Sequence, residues 1–361
     1  MRTTTYLSQT NLRGLAEDLL TAGTRVVAPA KIGRAPYQQV DYQRIAKVEE
    51  LAMDGALPSR PLKQFFMPPT EILLRWKQKK SDVEIEEIST QFPATVILGA
   101  RPCDAAAPGI VDCVMNWDYR DELYFGRRDA TTIIGLACGG FDKSCFCTAV
   151  GLGPDATAGS DLFLTPVDGG YHVDVLTEKG ESLVQAHAAR FSDSTGMDAA
   201  KRFHADARKK VESNLNPVPP AVRQWLESNF EHTLWESIAL RCHGCGACAS
   251  VCPTCHCFDI VDEARGVDRG ERRRNWDTCQ TSRFTVHGSG HNPRANQNTR
   301  FRQRVTHKFA IYPKKFEKIL CSGCGRCARA CPGGMDLPEL LAEIERLATS
   351  AEAPQLRGER S

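Results

Sequence analysis

The sequence predicts an α/β or α+β domain over residues 1–215 and a mostly helical domain over residues 221–350. Three observations predict this division. In the first part, short apolar runs alternate with stretches of helical spacing. A proline-rich break, Asn216-Pro217-Val218-Pro219-Pro220, follows them. Beyond the break, one cysteine motif occurs twice. The chain has 361 residues, enough for two or three cores.

The elements follow in order. Residues 11–20 space their leucines as a helix does, and residues 24–29 read as a strand after a stop at Gly23. Residues 71–76 are a helix candidate, with Pro68-Pro69-Thr70 as its start. Residues 94–99 and 131–136 read as buried strands. Each ends just before a cysteine-bearing loop, Arg101-Pro102-Cys103-Asp104 and Ala137-Cys138-Gly139-Gly140. Residues 161–176 alternate around Asp168-Gly169-Gly170, the pattern of a hairpin. Residues 180–240 read mostly as helix, and 336–347 as a closing helix. Residues 351–361 form an expected frayed tail.

Composition excludes several classes. Hydrophobic residues make up 42% and charged residues 25%, which is ordinary for a globular chain. The net charge of +2 points to neither nucleic acid nor an acidic membrane. No apolar run approaches the ~20 residues of a membrane-spanning helix. The first twenty residues lack the basic-then-apolar block of a secretion signal, so a cytoplasmic address is the expectation. Charge is unevenly spread: residues 265–318 hold 14 Lys or Arg against four Asp or Glu. A solvated face with local pairing competes with cations that offset buried anions or dock a partner. No interleaved aromatic platform supports nucleic-acid binding.

The 16 cysteines are the unusual number. Disulfides are rare in a reducing cytosol, so this count argues for metal ligation. Cys242, Cys245, Cys248 and Cys252-Pro253 form C-x2-C-x2-C-x3-C-P. Cys321, Cys324, Cys327 and Cys331-Pro332 repeat it. This is the run that holds cubane iron–sulfur clusters in bacterial ferredoxins. Three thiolates close in sequence wrap three corners of a compact cluster, and intervening glycines permit tight turns. In two-cluster ferredoxins the fourth cysteine ligates the other cluster. The assignment is therefore Cys242, Cys245, Cys248 and Cys331 on one [4Fe-4S] cluster, and Cys321, Cys324, Cys327 and Cys252 on a second. The 69-residue step from Cys252 to Cys321 is long for a compact ferredoxin, so a helical dicluster domain with an insertion is expected. Cys252-Pro253-Thr254-Cys255-His256 also matches the c-type haem signal C-x-x-C-H, but Cys252 is already claimed by the stronger motif.

Cys103, Cys138, Cys145 and Cys147 form a further constellation, because strand ends on one sheet edge converge. A third cubane cluster, a structural zinc and unligated buried thiols remain alternatives there. Cys113, Cys255, Cys257 and Cys279, with His256, His287, His291 and His307, read as packing around clusters, with a further metal site as the rival. Asp104, Asp142 and Asp155 read as capping or solvated groups. No Walker loop, G-x-G-x-x-G or catalytic triad is found, so no catalytic residue and no nucleotide or flavin site is assigned.

Arg101-Pro102-Cys103-Asp104, Cys138, Cys145-Phe146-Cys147, the run Cys252 to Asp259, Trp276-Asp277-Thr278-Cys279-Gln280 and Gly290-His291-Asn292-Pro293-Arg294 resemble the sulfhydrogenase beta subunit family. The related A-type subunit of anaerobic sulfite reductase is similar. The resemblance spans roughly residues 60–340. It implies an electron-transfer subunit of a hetero-oligomeric oxidoreductase, not its catalytic subunit. Its implied neighbours are a catalytic redox subunit, of nickel–iron hydrogenase type, and a flavin-containing NAD(P)H subunit. It also implies a third [4Fe-4S] cluster on Cys103, Cys138, Cys145 and Cys147. A sulfite reductase-like complex and a free-standing sulfur-compound reductase are the alternative readings.

Overall fold

The computed structural model describes residues 3–34, 36–53, 55–212 and 218–350. Part of the proline-rich break, Asn216 and Pro217, and the tail 351–361 lie outside the described residues. Twelve strands are described: β1 (Thr3–Ser8), β2 (Arg25–Ile32), β3 (Gln39–Arg44), β4 (Thr70–Lys79), β5 (Asp82–Glu87), β6 (Thr95–Ala100), β7 (Thr131–Leu136), β8 (Leu162–Val167), β9 (Gly170–Val175), β10 (Ser192–Asp193), β11 (Phe258–Ala264) and β12 (Arg269–Trp276).

Eight of them form one mixed sheet in the order β10-β1-β9-β8-β7-β6-β2-β3. The central pairs β2–β6, β6–β7 and β7–β8 are parallel, and the flanking pairs are antiparallel. Side chains alternate across this sheet, as the two-residue period of a strand requires. Val26, Val96, Leu98 and Ile134 face the helix Gln9–Thr21, which buries Leu12, Leu15, Ala16 and Leu19 against them. Val27, Ile97 and Ile133 face the other way, onto Phe66, Val111 and Tyr124. Helices thus cover both faces, which is why the central strands read as continuous apolar runs. The expected strands over 24–29, 94–99 and 131–136 and the hairpin over 161–176 are all present.

Residues 71–76 are not a helix. They lie inside β4, which pairs with β5 on one side and with β12 on the other. The second sheet runs β11-β12-β4-β5, so a hairpin from the long Cys252–Cys321 interval completes a sheet begun near residue 70. A buried charge cluster fixes this pairing. Arg274 Nε donates to Glu71 Oε1 at 2.7 Å, Arg274 also reaches Asp121, and Arg127 lies 2.8 Å from the other Glu71 oxygen. No local pattern around residue 71 reports a partner 203 positions away.

The C-terminal part packs the helices Pro220–Ser228, Leu234–Ala239, Gln297–Thr306 and Leu337–Thr349 around Trp225, Trp235, Phe301 and Ile344. The closing helix expected at 336–347 is the last of these. The remaining helices near the cysteine motifs are single turns, and the β11–β12 hairpin is not helical. The mostly helical character expected of residues 221–350 is therefore confined to this core. Phe146 and Val150, from the N-terminal cysteine loop, join it.

Replacing Arg274 by Met would leave the buried Glu71 with Arg127 alone and take the buried cation from the half-buried Asp121. A loss of about 3–5 kcal/mol is expected, read as a lower urea midpoint. An unchanged midpoint would show that the cluster does not hold the second sheet.

Candidate metal centres

The two motifs fold alike. Gly244 and Gly246 have φ of 65° and 75°, and Gly323 and Gly325 have 64° and 72°. That left-handed backbone favours glycine, which lacks a Cβ. Gly246 and Gly325 each precede one helical turn, Ala247–Ser250 and Arg326–Arg329. Each turn carries the third cysteine of its motif and delivers the fourth just beyond its end.

Cys242, Cys245 and Cys248 line one cavity with Cys331, the fourth cysteine of the other motif. Gln297 Nε2 donates to Cys242 Sγ at 3.2 Å, and the Met335 N–H donates to Cys331 Sγ at 3.3 Å. Cys245 is exposed. The reciprocal set is buried deeper. Burial pushes the Cys327 thiol up to about 12, and neighbouring Cys324, Cys321 and Cys252 add to the rise against the pull of Arg304. Burial likewise pushes Cys321 up to about 11, with Cys252 and Cys324 among its neighbours. Lys308 Nζ donates to Cys252 Sγ at 3.3 Å, and the Gly323 N–H to Cys321 Sγ at 3.4 Å.

The N-terminal constellation also comes together. Parallel β6 and β7 end side by side, so Cys103, on the first turn of the helix Pro102–Met115, meets Cys138. Ligand sites form at such carboxyl strand ends. Cys103, Cys138, Cys145 and Cys147 line one cavity, which Cys324 also borders. Burial, with Cys138 and Cys145 close by, pushes the Cys147 thiol up to about 12. The loop is seated on the second ferredoxin motif. The Phe146 N–H donates to Gly323 O at 2.8 Å, and a Cβ on Gly323 would stand 2.5 Å from backbone atoms of Cys147.

Of the three aspartates read as capping or solvated, Asp104 departs furthest from that reading, whereas Asp142 does cap a local N–H. Asp104 is fully buried, not solvated: Arg326 donates to both its oxygens at 2.7 Å, and Tyr42 Oη donates to Oδ2 at 3.0 Å. Asp142 pairs with Arg329 at 2.9 Å and accepts the Ser144 N–H. Asp155 pairs with Arg208 at 2.8 Å.

The donor sets fit iron–sulfur clusters. Thiolates ring cavities, backbone and amide N–H groups approach the sulfurs, and buried cations stand nearby. A protonated thiol is what burial favours without metal, and iron ligation removes that proton outright. A family model described as a 4Fe-4S dicluster domain matches residues 241–335. Sulfhydrogenase 2 subunit beta of Pyrococcus furiosus is 30% identical over 306 residues, covering 84% of this chain and 88% of the relative. The chain belongs to the sulfhydrogenase beta subunit family. It is accordingly an iron–sulfur, electron-transfer protein of the [4Fe-4S] type. Among the described residues, no helix is long and apolar enough to cross a membrane.

In this family member the remaining cysteines line neither of the two cavities, although Cys255 hydrogen-bonds the Cys252 thiol. Cys113 lies on the helix Pro102–Met115, with its sulfur 3.9 Å from Gly109 O. Arg304 donates to Cys255 Sγ at 3.2 Å. Cys257 and Cys279 touch across the base of the β11–β12 hairpin, and the hydrogen bond from Cys257 pulls Cys279 down to about 6. His256 and His307 are held neutral by burial, at about 4 and about 3. His287 and His291 meet edge to face with ring centroids 5.4 Å apart. Among the described residues, no group of three Cys, His, Asp or Glu converges tightly enough for a single metal ion.

Sequence reasoning missed Arg304, Lys308 and Arg326. For Arg304 and Lys308 the signal was the basic excess over residues 265–318, and Arg326 lies beyond it. Part of it forms surface pairs, such as Arg272 with Asp262 at 2.8 Å. Another part is buried: Arg300, Arg304 and Lys308 are at most 8% exposed and donate to carbonyls, an amide, a hydroxyl or sulfurs.

Gly323→Ala tests how the loop is seated. A Cβ there meets the backbone of Phe146 and Cys147, and the residue keeps a left-handed φ. A loss of about 1–3 kcal/mol is expected, with less iron retained at the N-terminal cysteines than at Cys242, Cys245 and Cys248. Full iron retention and an unchanged denaturation midpoint would refute the seating.

Proposed function

We propose that this chain holds three [4Fe-4S] clusters in a row and relays electrons through a cytoplasmic multisubunit oxidoreductase. Cys242, Cys245, Cys248 and Cys331 hold the outer cluster. Cys321, Cys324, Cys327 and Cys252 hold the middle one, and Cys103, Cys138, Cys145 and Cys147 the third. One observation carries this order: Cys327 borders the cavity of the outer set, and Cys324 borders that of the N-terminal set. The middle thiolates thus abut both others.

When bound, the clusters supply outer-sphere one-electron transfer with no covalent change in a substrate. The chain's own residues do the rest. Twelve cysteines ligate, amide and backbone N–H groups hydrogen-bond the sulfurs, and the surrounding core keeps water out. The exposed Cys245 gives the outer set the nearest approach to the surface.

The partners we infer are a flavin subunit that handles NAD(P)H and a catalytic subunit of nickel–iron hydrogenase type. The family of the relative supports that reading, through the name sulfhydrogenase alone. Copurification of the native complex should bring down nickel and flavin. Recovery of sirohaem instead would move the chain to a sulfite reductase-like complex.

Anaerobically reconstituted protein should bind about twelve irons. Cys245→Ser, Cys324→Ser and Cys138→Ser should each lower the count by about four, and Cys113→Ser should leave it unchanged. A count of about eight that Cys138→Ser leaves untouched would limit the relay to two centres. Fewer than about four irons in the parent chain would defeat the relay altogether.

A further inference from the structure

We propose that Lys308 makes the middle centre the most easily reduced of the three. The inference rests on the three-centre reading above. Lys308 is 2% exposed and lies in a π-helical stretch, His307–Ile311, that continues the helix Gln297–Thr306. Its Nζ donates to Cys252 Sγ at 3.3 Å, Thr254 Oγ1 at 3.2 Å and Leu320 O at 2.8 Å. These acceptors include no carboxylate. A buried ammonium without a carboxylate is costly unless another anion compensates it. The anion beside it is the Cys252 thiolate and whatever that thiolate ligates.

The other two sets are treated differently. The outer set receives neutral donors, Gln297 Nε2 on Cys242 and the Met335 N–H on Cys331. At the N-terminal set the buried Arg101 lines the cavity but donates to Ala56 O rather than to a sulfur, and the other two cations are matched by carboxylates. Arg326 is matched by Asp104 through two bonds of 2.7 Å, and Arg329 by Asp142 at 2.9 Å. Arg304 donates to Cys255 Sγ and to Cys248 O, between the outer and middle sets, so it acts on both. Lys308 is thus the uncompensated cation bonded to a sulfur of the middle set alone.

The physical consequence has a sign. Reduction adds one negative charge to a cluster. A fixed cation in a low-dielectric interior stabilises that added charge, so the potential rises. A middle centre that takes an electron most readily lets the chain hold one electron between its two ends. That suits a junction between two-electron and one-electron chemistry.

The test is a potentiometric titration of the fully loaded protein followed by EPR, with Cys324→Ser identifying the middle signal. In the parent protein the middle centre should have the highest midpoint. In Lys308→Met its reduced-to-oxidised ratio at the parent midpoint should fall about tenfold, which is 59 mV for a one-electron couple. The flanking midpoints should barely move, and Lys308→Arg should stay near the parent. Lys308→Gln keeps a polar group of similar length without the charge, and decides the matter should the Met variant fail to assemble. An unchanged middle midpoint in either neutral variant, or a middle centre that is not the highest in the parent, overturns the proposal. An iron count below about twelve in the parent would instead overturn the three-centre reading.

Discussion

The architecture depends on one buried ion pair. Arg326 sits between Cys324 and Cys327, Asp104 follows Cys103, and two hydrogen bonds of 2.7 Å join them. Both side chains are withdrawn from water, at 4% and 0% exposure. Such a fork-to-fork pair fixes direction as well as distance, because a planar guanidinium matches a carboxylate only in one plane. Tyr42 supplies a third contact to Asp104, and its hydroxyl accepts the Arg101 N–H at 2.9 Å. The edge of the large sheet and the second cysteine motif are thereby held as one unit. The Gly323 backbone, seated under Phe146 and Cys147, is a second clasp at the same junction.

The same logic explains the buried cations. Interiors exclude unpaired charge. Here Arg326 has its carboxylate, whereas Lys308 and Arg304 have sulfur and carbonyl oxygen. The neighbouring Cys321 and Cys327 thiols are, in turn, pushed toward their protonated form chiefly by burial. Each side is unfavourable alone. Thiolates bound to metal beside buried cations resolve both costs, so the electrostatics of the fold anticipate a loaded protein.

Much of this was legible in the sequence. The cysteine spacing, with glycines at 244, 246, 323 and 325, announced two equivalent turns because the constraint is local. Strands β6 and β7 were legible because both faces are covered and the runs are uniformly apolar. Residues 71–76 were not legible. Their hydrophobic residues suit either a helix or a strand, and the choice is made by β12 and by Arg274, which lie far along the chain. Asp104 was misread for the same reason. A carboxylate beside a helix start is usually a cap or solvated, and nothing nearby in sequence discloses Arg326.

The sequence by itself determined the ligand chemistry and the family, since thiolate spacing, tight turns and a proline stop all act within a dozen residues. Only the tertiary structure decided which cysteine sets adjoin, which cations lose their solvent, and that the long interval between the motifs contributes a hairpin to a shared sheet. These are contacts between residues 203 and 222 positions apart, such as Glu71 with Arg274 and Asp104 with Arg326. Their energy comes from burial and directed hydrogen bonds that exist only once the chain has closed on itself.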